Sequence, residues 1–348
     1  MALQATEKLN GKMLYFWRTL QVLVFLIGLG IFLALIFFPT IGIHAFWNVL
    51  IPVAPALLVI AAGLWRNICP MASIALSSRH AGFSKQKRLK VAWQGRLNLI
   101  GVIALLLIVP LRHVILDTNG PATAIALGVL AFTAFLMGRH YNWKSGWCSG
   151  LCPILPVEKL YGAKVVRPMP NAHCGECHNC VISCPDSNSK THPLMEQKTK
   201  PHRLAAYLVA GGFPGFIWGW FHVPDYHGME GWNHLLPAYG FPFLGLVVSL
   251  GAFLLLKRIL PAEREGLLIN TFAMFSVNCY YWYRLPALIG FGLFPGDGML
   301  VDLTNVFPVW APVLIQLSTV LFFAWWLLLR PQAQFGWTIR PPYHKKVK

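Results

Sequence analysis

Negative charge is the scarcest property of this chain. Twelve Asp and Glu stand against 29 Lys and Arg, and charged residues of both signs make up only 12% of the 348 positions. So little charge cannot solvate an ordinary soluble domain, which excludes that class. Motifs for bond-making are missing as well. There is no G-x-G-x-x-G loop after a strand, no P-loop, no H-E-x-x-H, no C-x-x-C-H and no Ser-His-Asp arrangement identifiable by motif. The first apolar stretch, about Leu20 to Phe38, has no small-residue cleavage site and is long enough to span, so it reads as a retained anchor.

What is abundant is apolar surface, at 56% of residues, together with a formal charge of +17. The basic residues gather in short links between apolar spans, a pattern of membrane orientation and not of nucleic-acid binding. Stretches of about 20 residues that can cross a bilayer fall near 15–38, 43–64, 97–116, 121–138, 203–221, 237–260, 266–283 and 306–329. The link between the second and third carries Arg66, Arg79, Lys85, Lys87, Arg88, Lys90 and Arg96 and no acid, which assigns it to the cytoplasm. The 139–202 link is also basic. The links at 112–120, 222–236 and 284–305 hold one, zero and one Lys or Arg. This alternation predicts a multi-pass protein of the cytoplasmic membrane with both termini inside. Pro52, Pro55, Pro110 and Pro214 fall within the spans and imply kinks or shifted boundaries.

Seven of the eight cysteines fall on the predicted inner face. Cys279 lies deep in the seventh span and reads as a small buried hydrophobe. The segment "AHCGECHNCVISCPDS" spaces Cys174, Cys177, Cys180 and Cys184 as C-x2-C-x2-C-x3-C-P. Three thiolates on one tight loop can each reach a different iron of a cubane, and the proline turns the chain away after the fourth. Zinc would want paired C-x2-C units or histidines at metal spacing, and reducing cytoplasm disfavours disulfides. In two-cluster ferredoxins the fourth cysteine of such a run serves the other cluster, so ligands from elsewhere are expected. "GWCSGLCP" supplies Cys148 and Cys152-Pro153. A fainter copy, "WRNICP", supplies Cys69-Pro70 with Trp65 in the place of Cys148. One cluster is assigned to Cys174, Cys177, Cys180 and Cys152. A second cluster would draw on Cys184, Cys148 and Cys69 plus one ligand that is not cysteine, with His80, His140, His173, His178 and Asp186 as candidates.

These segments resemble the membrane-bound polyferredoxin family typified by NapH, the membrane part of NosR, and CcoG. The resemblance covers roughly residues 43 to 190 and rests on helix hairpins ending in "WRNICP" and "WCSGLCP", followed by "CGECHNCVISCP". It implies [4Fe-4S] clusters on the cytoplasmic side, electron exchange with the quinone pool or a redox partner, and membership of a larger complex. Two departures stand out: the first hairpin lacks its leading cysteine, and one full cysteine run stands where typical members carry two.

The expected fold is an all-α integral membrane protein of about eight transmembrane helices with a small ferredoxin-like cytoplasmic loop region. Helices 1–4 occupy 1–138, the cluster-binding region 139–202, and helices 5–8 residues 203–348. Arg66, Arg139, Lys144 and Lys164 flank the cysteine motifs, where cations would raise a cluster's potential. The outward side collects His44, His113, His222, His227 and His234 with Asp117, Asp225 and Glu230, which leaves open a quinol site, a haem on His44 and His113, a metal, or an interfacial belt. The expected function is a membrane-integral [4Fe-4S] electron-transfer subunit working between the quinone pool and partner subunits. The alternatives are an assembly factor that reduces a metal such as copper during maturation of a partner oxidase, and a membrane scaffold.

Overall fold

The computed structural model describes residues 11–87, 89–142, 144–166, 169–170, 172–173, 194, 199–228, 230–331 and 338–339. The chain is built almost wholly of helices. In chain order they are α1 (Gly11–Phe37), α2 (Pro39–Ile43), α3 (Ile51–Ile68), α4 (Pro70–His80), α5 (Val91–Ile108), α6 (Gly120–His140), α7 (Ile154–Tyr161), α8 (Lys200–Tyr207), α9 (Phe213–Phe221), α10 (Leu235–Ile259), α11 (Glu265–Leu288) and α12 (Ala311–Ala324). Wider π-helical turns join or extend several of them, at His44–Leu50, Arg112–Leu116, Lys144–Leu151, Leu208–Gly212 and Trp325–Leu329. The only strands among the described residues are β1 (Met169–Pro170) and β2 (Thr338–Ile339), which pair in parallel.

Seven helical stretches among the described residues are long and apolar enough to cross a membrane: Gly11–Phe37, Pro39–His80, Val91–Ile108, Gly120–His140, Lys200–Phe221, Glu230–Ile259 and Ala311–Leu329. Large side chains such as Ile125, Val248 and Leu321 stand exposed on their outer faces. This is the construction of a multi-spanning membrane protein. The eighth expected span, 266–283, departs from the rest. It lies in α11, whose 24 residues are long enough, but it carries Asn270, Ser276, Asn278 and three tyrosines and is not among the seven apolar stretches. Half of α11 is buried, including Ser276, Asn278, Tyr281 and Arg284. Packed among other helices, it meets protein where they meet lipid, and its polar side chains find partners there.

One such partner lies in α3. The Tyr281 hydroxyl accepts the Ala56 N–H at 2.8 Å and donates to the Pro52 carbonyl at 2.7 Å. It thus sits inside the helix ladder where Ala56 would ordinarily reach back to Pro52, next to Pro55, which has no N–H to give. A further kink follows at Ala61 (φ −144°, ψ 56°), so the prolines of this span bend the helix without ending it.

Small residues bring the helices close. Ala134 and Gly138, one turn apart on α6, meet Ala72 and Ala75 of α4, and a methyl group at Gly138 would collide with the Ala75 carbonyl. Gly211, Gly215 and Gly219 repeat the device against α10. This is the small-x3-small packing of lipid-embedded helices. Tight pairing of α4 on α6 also fixes both cysteine hairpins at one end of the bundle. A principal core runs through both halves of the chain, from Leu58 and Val102 to Phe253, Phe272 and Trp326.

Tyr281→Phe removes the hydroxyl that bridges Ala56 and Pro52 and leaves a buried carbonyl and N–H unpaired. The variant is expected to lose about 1–3 kcal/mol of stability, read as a lower thermal midpoint in detergent. An unchanged midpoint would count against the inserted hydroxyl.

Candidate functional site

The antiparallel helices sort the polar residues to two ends of the bundle. The cysteine motifs lie at one end, with the 81–90 link and the C-terminus of α6. The 21 residues of α6 separate them by about 30 Å from Asp117 and its neighbours at the other.

At the cysteine end, both Cys-Pro motifs adopt the same construction. Cys69 leaves the helical region (φ −54°, ψ 118°) between α3 and α4, and Pro70 opens α4, where a missing N–H costs nothing. Cys148 lies on the Lys144–Leu151 π-helical turn, Cys152 follows it, and Pro153 precedes α7. Cys69 and Cys152 pack with Cys148 on one apolar cluster of Ala72, Ala75, Leu76, Ala134 and Trp147. All three are free thiols. Burial pushes the Cys152 thiol up to about 12, with Cys69 adding to the effect, while the N–H groups of Ile154 and Leu155 and the charge of Arg66 oppose it. A thiol in that setting becomes a thiolate only with strong positive compensation, such as a metal ion supplies.

Cys174, Cys177, Cys180 and Cys184, with His178 and Asp186, lie outside the described residues, but the approach to them is visible. The Val166 N–H donates to the Ile60 carbonyl at 3.1 Å, and the Ala172 N–H donates to Asn67 Oδ1 at 3.1 Å. The strand-like segment thus follows α3 toward its end and is pinned two residues before Cys174 to a side chain two residues before Cys69. Asn67 is fully buried, and its own carbonyl accepts from Gln21 Nε2 at 2.8 Å. His173 is buried beside this anchor, whereas the His140 Nδ1 is taken up by the Leu136 carbonyl at 3.1 Å on an exposed surface. Among the described residues, no three His, Cys, Asp or Glu are gathered in a metal-holding group.

The flanking cations divide. Arg66 forms a buried ion pair with Glu158 at 2.7 Å, which ties the end of α3 to α7, and its charge reaches Cys152. Lys164 turns away, donating to the carbonyls of Leu328 at 3.2 Å and Arg330 at 2.5 Å, and burial together with Arg330 lowers its pKa. Arg139 lies over the Phe83 ring.

The opposite end holds a denser ionic cluster than its sequence suggests. Arg112, on the Arg112–Leu116 π-helical turn, pairs with Asp117 at 2.8 Å and Asp225 at 3.0 Å, flanked by the rings of Trp47 and Trp220. The His113 Nδ1 lies 2.6 Å from Asp225 Oδ1, and the Asp225 N–H donates to Asp297 at 2.7 Å. Arg284 of α11 donates to the Trp47 carbonyl and Asn48 Oδ1, each at 2.6 Å, while Asn48 Nδ2 meets His44 Nδ1 at 2.9 Å and the Met299 carbonyl at 3.1 Å. Gly298, at φ +63°, leaves room for the Arg284 guanidinium, which any side chain there would strike. His44 and His113 therefore have different Nδ1 partners. His222 bonds the Trp218 carbonyl, His234 stacks on Tyr226, and His227 and Glu230 are exposed, so these four stay outside the buried cluster.

Arg112, Arg284, Asp297 and Asn48 were not singled out by motif. The available signal was that Arg112 and Arg284 are the lone cations in two otherwise acidic links. Burial pushes Asp117 up to about 7, with Arg112 opposing and Asp225 adding. Burial also works against the Asp225 charge, but Arg112 and the His113 N–H together hold its carboxyl well below the usual range. No protein-family model, curated protein or solved structure matches this chain.

Asp117 binds its proton more tightly in the folded protein than in the unfolded chain. Its contribution to stability is full below about pH 4 and is lost as pH rises through about 7. Asp225 acts in the other sense, contributing above about pH 4 and losing that contribution on acidification. Asp117→Asn is expected to flatten the fall in thermal midpoint between about pH 4 and about 7. Parallel curves for the variant and the wild-type protein would contradict this.

Proposed function

We propose that this protein is a membrane-integral electron carrier that holds a [4Fe-4S] cluster at the cysteine end of the bundle and exchanges electrons with the quinone pool and partner subunits of a redox complex. The observation that carries the reading is the Asn67–Ala172 hydrogen bond. It delivers a C-x2-C-x2-C-x3-C-P loop to the end of α3, where Cys69 stands beside Cys148 and Cys152 on one apolar surface. The donor set fits the group: free thiols at helix breaks, shielded from water, with the buried cation Arg66 close by. Cys174, Cys177, Cys180 and Cys152 would hold the cluster. Cys184, Cys148 and Cys69 remain for a second, which needs a ligand other than cysteine. A bound [4Fe-4S] cluster takes up and releases single electrons.

The chain's own residues supply the setting. Ala72, Ala75, Leu76 and Trp147 exclude water from the thiols. Ile154 and Leu155 direct their N–H groups at Cys152, which favours its thiolate. Glu158 fixes Arg66 where its positive charge offsets added electrons. The basic 65–96 and 139–202 links place this end at the cytoplasmic surface in our reading, with both termini on the same side.

Iron and acid-labile sulfide counts on the purified, reduced protein, with low-temperature EPR, test the proposal. About four irons per chain are expected for one cluster and about eight for two. Cys177→Ser and Cys152→Ser should each abolish the signal of the assigned cluster, and unchanged iron in either would overturn the ligand set. Zinc in place of iron would overturn the reading altogether. Asn67→Ala should speed iron loss to a chelator about fivefold, the worth of one buried hydrogen bond. Stoichiometric co-purification with catalytic subunits separates a resident carrier from a maturation factor, which departs once its work is done.

A further inference from the structure

The geometry points to a buried binding site for a neutral, hydroxyl-bearing aromatic ligand at the end of the bundle away from the cysteines, with His113 as the hydrogen-bond acceptor. The inference deepens the proposed exchange with quinones and rests on that reading for the identity of the natural ligand. The site itself rests on the geometry of His113.

His113 is only 4% exposed. Its Nδ1 stands 2.6 Å from Asp225 Oδ1. A carboxylate can only accept in such a pair, so Nδ1 carries the proton and the lone pair is left on Nε2. Nε2 is buried and has no hydrogen-bond partner. The other strong donor beside it is already spent, because Arg112 is engaged by Asp117 and Asp225. The ring therefore offers a desolvated acceptor whose direction is fixed by Asp225, as a carboxylate fixes a catalytic or metal-bound imidazole through its far nitrogen.

The surroundings select the ligand. Asp117, Asp225 and Asp297 repel an anion, while Arg112 and Arg284 repel a cation, which favours a neutral molecule. The Trp220 ring lies 4.7 Å from the imidazole and offers a flat apolar face. A ring with a hydroxyl, as in hydroquinones and hydroxyquinolines, matches both features, its O–H donating to Nε2 and its face packing on indole.

The probe is heptyl-hydroxyquinoline N-oxide, titrated into protein held in phosphatidylcholine nanodiscs and followed by quenching of its own fluorescence, with empty nanodiscs subtracted. Saturable quenching is expected, weakened about tenfold by His113→Gln, the worth of one hydrogen bond to a desolvated acceptor. Absence of saturable quenching in the wild-type protein, or equal affinity in His113→Gln, overturns the site. If that variant does not fold, a photoactivatable azidoquinone on wild-type protein decides. Labelled peptides within 109–117 or 218–228 support the site, and labelling confined elsewhere overturns it. Iron without binding refutes this site alone, whereas binding without iron refutes the cluster alone. Cys152→Ser should leave quenching at wild-type strength, and loss of quenching there would show that His113 does not form a separate site.

Discussion

A polar group inside a hydrocarbon layer has no water to turn to, and its partners must come from the protein itself. That constraint organises this bundle. Tyr281 spends its hydroxyl on a helix ladder, Asn48 uses both ends of its amide, and Arg284 reaches from the buried helix α11 to a backbone carbonyl and to Asn48. Each of these contacts joins segments more than 200 residues apart in sequence. The polar side chains therefore hold the first helices against the last, where apolar packing alone has little preference between protein and lipid.

The same constraint explains what could be read from the chain alone. Seven spans were legible because lipid-facing helices must be apolar throughout their length. α11 was counted with them for its length, yet its tyrosines and asparagines signal a helix shielded from lipid, information that hydropathy alone blurs. The paired Cys-Pro breaks were legible as a repeat, and the structure gives them one construction. The Asn67 anchor was not legible, because a single asparagine before a cysteine looks like any other. Nor was the ionic cluster around Arg112, whose members come from four separated links and meet only in three dimensions.

Helix geometry shows where the bundle departs from regularity. His44 and Asn48, Arg112 and His113, and Cys148 all lie on π-helical turns. An extra residue per turn rotates the following side chains relative to a regular helix, and such turns are frequent at functional sites. Here they aim polar residues inward at both ends of the bundle while the α-helical stretches between them keep apolar residues facing out. The two ends are thereby distinct chemical environments: one rich in thiols with a buried cation, the other a balanced set of carboxylates, guanidinium groups and imidazole.

The pairing of β1 with β2 bears on the order of events during synthesis. Met169 and Pro170 find their strand partners only in Thr338 and Ile339, and Lys164 rests on carbonyls at Leu328 and Arg330. When residues 164–170 leave the ribosome, those partners are still more than 150 residues from being made. The segment leading to the cysteine loop thus stays unbraced until the later helices have been inserted, and the thiols remain open to delivery of iron through most of translation. Closure from the far end of the chain would then seal whatever had been loaded.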